Sequence, residues 1–124
     1  MIKIDIPKVD VSIIERKQVR DENEPVIKSI EGFIDIHKIP RDKGGIILFY
    51  NKKDELLFVG KARKLRQRVK KHLEDTVSPI QNHREEVYRI DVCLVEDPME
   101  RDIYETYITN KFQAKYNVDK VYYK

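Results

Sequence analysis

Two short apolar runs, Ile46 to Tyr50 and Leu56 to Val59, are separated by the polar stretch Asn51 to Glu55. Gly44-Gly45 precedes the first run and Gly60 follows the second. Apolar runs of this length, with a polar turn between them and glycines outside, spell a β-hairpin. The period then changes. Ala62, Leu65, Val69 and Leu73 recur at three- and four-residue steps, which makes one apolar stripe on a helix. The sequence therefore predicts a returning strand ended by Gly60 and a helix over 62–73.

Further along, Tyr88, Ile90, Val92 and Leu94 alternate with polar or small residues and predict a strand over 88–95. Asp97 is a good N-cap, Pro98 suits a first helical position and Glu100 is placed to close a capping box. Ile103, Tyr107, Ile108 and Phe112 are expected to form the buried side of that helix. Residues 75–82 read as a loop containing Pro79, and the tail from Ala114 to Lys124 as a loop with an edge strand. Before the hairpin, Ile2, Ile4 and Ile6 alternate with charges up to Pro7, and Val9, Val11 and Ile13 continue the alternation. Glu15 to Glu24 is a charged linker, and Ser29 to Ile39 reads as a short helix closed by Pro40. The fold class expected is α+β: a small, mostly antiparallel sheet, made of a hairpin plus a further strand, flanked by helices. With 124 residues there is room for one such domain, expected over 32–124 after an N-terminal extension of 1–31.

A single cysteine, Cys93, rules out an internal disulfide and reads as a small core residue in a reducing compartment. The first ten residues carry charges every few positions, unlike a signal peptide, and no apolar stretch is long enough to cross a membrane. A cytoplasmic location is expected.

Charge is unevenly placed. The net charge is +3, from 25 basic and 22 acidic residues. Seven of the basic ones (Lys61, Arg63, Lys64, Arg66, Arg68, Lys70 and Lys71) fall between 61 and 71 with no acid among them. The rest of the chain is mildly acidic, so the cluster points to a local polyanion site, nucleic acid above all. Lys64, Arg68 and His72 are four apart and share a helix face distinct from the stripe of Leu65 and Val69. The fork of Arg68 suits a phosphate, and His72 has a pKa range suited to proton transfer. A solubilising helix face explains the same charges equally well. Glu105 stands one turn before Ile108, at the margin of the later helix's apolar side, where a partly shielded carboxylate suits one Mg²⁺. Periodicity alone favours an ordinary exposed acid there.

Together these pieces resemble the GIY-YIG nuclease superfamily. The stretch Leu57-Phe58-Val59-Gly60-Lys61-Ala62-Arg63-Lys64-Leu65-Arg66-Gln67-Arg68 is similar to that family's "YVGKAKNLRKR" segment. Ile39-Pro40 ahead of Gly45-Ile46 resembles the "LP…PGVY" start of the N-terminal nuclease domain of the excinuclease ABC type. Glu105 followed by Ala114-Lys115-Tyr116-Asn117-Val118 resembles its "E…IKxxxPxYNV" segment. The match covers 32–118. It implies a divalent-metal-dependent DNA endonuclease of the kind used in nucleotide excision repair. Glu105 would ligate one Mg²⁺ or Mn²⁺, Arg68 and Lys61 would hold the scissile phosphate, and His72 falls where the family has a His or Tyr. Gly45, Phe58, Gly60 and Asn117 would support the site, with the basic cluster as the DNA-binding surface and a partner protein as a route to targeting.

The sequence departs from the family at the two tyrosines that name it. Ile47 stands in place of one and Phe58 in place of the other. The remaining sources of a base are His72 and a water acidified by the metal. Tyr50 belongs to the opposite face of its strand from Ile47 and Phe49. The alternatives are a nucleic-acid-binding module of the same fold that no longer cuts, and an interaction domain that inherited the fold.

Overall fold

A computed structural model describes residues 6–14, 33, 36–74 and 80–117. Strand β1 spans Val11–Ile14, β2 Gly45–Tyr50, β3 Leu56–Ala62 and β4 Arg89–Leu94. Helix α1 spans Leu65–Glu74 and α2 spans Pro98–Phe112. The strands form one sheet in the order β1-β4-β2-β3, every neighbouring pair antiparallel. The expected strand at 2–6 lies almost wholly outside the described residues, and so does the charged linker at 15–24.

Alternation along the strands sorts the apolar side chains onto two faces. Ile47, Phe49, Ile90 and Val92 point to one face, where Leu65, Val69 and Leu73 of α1 cover them. Ile46, Leu48, Val59 and Cys93 point to the other, under Ile108 of α2 and Ala114 just beyond it. One helix thus sits on each side of the sheet. Burying side chains of this size contributes about 1.5–3 kcal/mol each. Cys93 is buried as expected, and burial pushes its thiol up to about 12.

The hairpin is tied at its turn by Asn51, whose Oδ1 accepts from Lys53 N at 2.9 Å and Glu55 N at 3.0 Å. At its other end, a Cβ on Gly45 would lie 1.9 Å from Cys93 O, so only glycine lets β2 approach β4 there. Helix α2 starts at the N-cap its sequence predicts. Asp97 Oδ1 accepts from Met99 N at 2.8 Å and Glu100 N at 3.3 Å, with Pro98 in the first turn. It ends at Gln113, in the left-handed region at φ 49°.

Four expectations need correction. Gly60 does not end β3. It pairs with Ile47, and the strand runs on to Ala62, so α1 begins at Leu65. The ladder with β2 outweighs glycine's low strand propensity. The short helix expected at 29–39 is, where described, a 3₁₀ turn at Ile36–Lys38, with Phe33 in a bridge and Phe33, Ile36 and Ile39 in the core. A second 3₁₀ stretch, Gln81–Glu86, begins within the expected loop. Finally, α2 turns a different side inward. Arg101, Glu105, Ile108 and Thr109 are buried, while Ile103 is 46% and Phe112 50% exposed.

Candidate functional site

Strand β3 is an edge of the described sheet, and the chain leaves it directly into α1. Beside this junction lies an open cleft of about 700 Å³. Lys61, Arg63 and Lys64 at the junction and Gln67, Arg68 and Lys71 of α1 form one wall. Pro98, Arg101 and Asp102 of the first turns of α2 form the other. Five of the seven residues of the basic cluster therefore meet in one cavity, and exposed cations gathered in a concave surface raise the local concentration of anions.

The remaining two serve elsewhere. Arg66 donates from Nε to Ile39 O at 2.7 Å and from Nη2 to His37 O at 2.6 Å, which fastens the 3₁₀ turn at 36–38 to α1. Lys70 lines a smaller hollow of about 250 Å³ with Arg41, Asp42 and Arg66. Lys61 forms an ion pair with Asp102, which joins β3 to α2 across the cleft.

His72 is on α1, one turn beyond Arg68, but does not line the cleft. Its ring meets Phe58 edge-on at 4.8 Å between centroids and Phe49 at 5.8 Å. Gly60 lies beside this pair, where a Cβ would be 3.1 Å from Phe58 and 3.4 Å from His72 Nε2. Ile47 is fully buried and Phe58 is 6% exposed. Tyr50 packs with the α2-side core, its ring 4.2 Å from the Arg89 guanidinium. Burial, then the Asp91 charge, raises its phenol above the ordinary value, despite a register shift between Phe49 and Tyr50. Tyr50 thus lies on the α2-side face of the sheet, away from Phe58 and His72.

Glu105 is 5% exposed, deeper than periodicity implied. It lies on the inward stripe of α2, one turn along from Arg101 and Asp102 in the cleft wall. Among the described residues no three His, Cys, Asp or Glu side chains cluster as a multi-ligand metal site. Glu105 does not itself line the cleft, but a single shielded carboxylate one helical turn from it fits one Mg²⁺ or Mn²⁺ that keeps most of its waters. Asn117 grips β3 from outside. Its Oδ1 accepts from Val59 N and its Nδ2 donates to Val59 O, both at 2.8 Å.

Sequence reasoning overlooked Arg101 and Asp102. The signal was available in the spacing. If Glu105 faces inward, the residues three and four positions before it share that side of the helix.

This sheet with a helix on each face and a basic cleft at the edge strand defines the class. Residues 43–118 match the UvrC-like GIY-YIG domain, and the chain belongs to that family. It is similar to the Bacillus subtilis protein YurQ, with 70% identity over the full length of both chains. It is also similar to UvrABC system protein C of Clostridium tetani, with 31% identity over 88 residues. That match takes in 65% of this chain and only 14% of the relative, so the chain spans a small part of that protein. Among solved structures, the N-terminal endonuclease domain of UvrC from Thermotoga maritima, bound to its catalytic magnesium, aligns with a TM-score of 0.58. The identity is 26%, over 66% of this chain and 94% of that one. A tyrosine-to-phenylalanine point mutant of the same domain, also bound to the catalytic divalent cation, aligns equally well.

Proposed function

We propose that this protein is a divalent-metal-dependent endonuclease that hydrolyses phosphodiester bonds in DNA at the cleft between α1 and α2, in the service of DNA repair. The observation that carries the reading is the meeting of Lys61, Arg68 and the Arg101–Asp102 turn in one cleft, with buried Glu105 one turn further along α2. Arg68 and Lys61 bind the scissile phosphate and offset the charge that develops on it. Glu105 holds one Mg²⁺ or Mn²⁺, which when bound polarises the phosphoryl oxygen and acidifies water. His72 lies one turn beyond Arg68 but outside the cleft lining, so in this reading it takes the proton of the attacking water through one bridging water. The phenylalanine mutant of the Thermotoga maritima domain supports this, because it binds its cation with one tyrosine hydroxyl removed.

A second reading is a nucleic-acid-binding module that no longer cuts. It is favoured by Ile47 and Phe58, which carry no hydroxyl at the two family positions. One experiment separates the two. The full chain is incubated with supercoiled plasmid and with branched DNA in Mn²⁺, beside Glu105→Ala checked for folding by circular dichroism. Nicking lost in the mutant supports the nuclease. Equal nicking by both proteins removes it, and binding without nicking leaves the second reading.

A further inference from the structure

Arg101 differs from the other cations of the cleft. It is 7% exposed, although its guanidinium is permanently charged. Its hydrogen bonds are to main-chain carbonyls: Nη1 donates to Ala62 O at 2.9 Å and Nη2 to Glu96 O at 3.2 Å. The buried Nε has no hydrogen-bond partner. Carbonyl dipoles orient a guanidinium but do not cancel its charge, and an uncompensated buried charge is costly.

Gly44 shapes the seat. A Cβ there would lie 3.0 Å from both Cζ and Nη1 of Arg101 and 3.1 Å from Ala62 O. A side chain at 44 would crowd the guanidinium and force it to give by a few tenths of an ångström. The fork is therefore positioned before a ligand arrives, on the wall of the cleft that Lys61 and Arg68 also line. Lys61 is engaged by Asp102.

We propose that Arg101 is a second phosphate-binding residue, which holds, from the α2 side, a backbone phosphate of duplex nucleic acid next to the one held by Arg68 from the α1 side. The proposal rests on the reading of this cleft as a nucleic-acid site. The described lining residues are charged, amide or small, with no aromatic ring, which suits contact with a duplex backbone over stacking on separated bases. Two walls carrying fixed and mobile cations grip successive phosphates without reading sequence.

The test is equilibrium binding of a fluorescent DNA duplex to the full chain in EDTA across a salt series, for wild type, Arg101→Gln and Arg68→Gln. Each variant is expected to flatten the plot of log affinity against log salt by about one phosphate's worth, roughly 0.9 in slope. The single strand of the same sequence is expected to bind more weakly than the duplex. Wild-type binding with an unchanged slope in Arg101→Gln overturns the assignment and leaves the cleft reading standing. Absence of wild-type binding at low salt overturns both. If Arg101→Gln does not fold, the Arg101 Nε–H cross-peak of wild type, assigned by its loss in Arg101→Lys, is followed by NMR. It is expected to shift as duplex is added, and a stationary peak while that of Arg68 moves overturns the proposal.

Discussion

The side chain of Asn117 hydrogen-bonds both the N–H and the C=O of Val59, each at 2.8 Å, and so acts as an extra strand residue along the open side of β3. The neighbouring main chain continues the pairing, with Lys115 N donating to Leu56 O and Tyr116 N to Leu57 O. Asn117→Ala leaves two buried main-chain groups unsatisfied, at a cost of about 1–3 kcal/mol each. The expected result is a lower urea midpoint with an unchanged m-value. Asn117→Asp sets a carboxylate oxygen against the Val59 carbonyl in a buried place, and should be at least as destabilising at neutral pH. A midpoint equal to wild type in Asn117→Ala would show that the clamp adds nothing to the fold.

Phe58→Tyr puts a phenol hydroxyl at a position already packed against His72, with ring centroids 4.8 Å apart. If the missing phenol limits water activation, plasmid nicking in Mn²⁺ should rise by about 10²-fold, the lower range for a positioned acid–base group. No gain in a folded protein would place the rate limit elsewhere. Ile47→Tyr is the poorer repair, because Ile47 is fully buried and the larger ring overpacks the α1-side core by about 1–3 kcal/mol.

The elements legible in the sequence were those set by local chemistry. Asp97 and Pro98 fixed the start of α2, and the stripe of Leu65, Val69 and Leu73 fixed the buried side of α1. The inward side of α2 was misread because Ile103 and Phe112 look like core and are exposed, while Arg101 and Glu105 look like surface and are buried. Arg101 is buried because it reaches the Ala62 and Glu96 carbonyls, which periodicity does not contain. Arg66 is ambiguous for a related reason. Its basic letter fits a phosphate as well as it fits the carbonyls of His37 and Ile39, and only the fold decides between them. The position of His72 against Phe58 and Phe49 likewise depends on strand register.

Asp102 is the carboxylate that α2 sends into the basic cleft, where it pairs with Lys61. Both side chains are substantially exposed, so the pair itself stabilises the fold little. Its larger effect is on ligands, since an incoming phosphate must displace or repel it. Asp102→Asn should leave the melting temperature nearly unchanged and tighten duplex binding by about three- to tenfold at low salt, with the gain fading as salt screens the cleft. Weaker binding would instead mean that Asp102 positions Lys61 for the phosphate.

The Tyr116 hydroxyl donates to Glu86, whose carboxylate also meets His83 and Lys115, while the Tyr116 and His83 rings stack at 3.8 Å. This cluster ties the 81–86 stretch to the segment that presents Asn117. The Tyr116 hydrogen bond, and then Lys115 and His83, hold the Glu86 carboxyl below its ordinary value. A carboxyl depressed in the folded state stabilises the protein fully above its unfolded pKa, and that contribution is lost as pH falls through the folded pKa. Tyr116→Phe removes the largest cause of the depression. Urea midpoints measured from neutral to acid pH should therefore be lower than wild type at neutral pH and converge with it once Glu86 is protonated in both proteins. A difference that stays constant down to acid pH would assign the effect of Tyr116 to packing against His83 and not to the carboxylate.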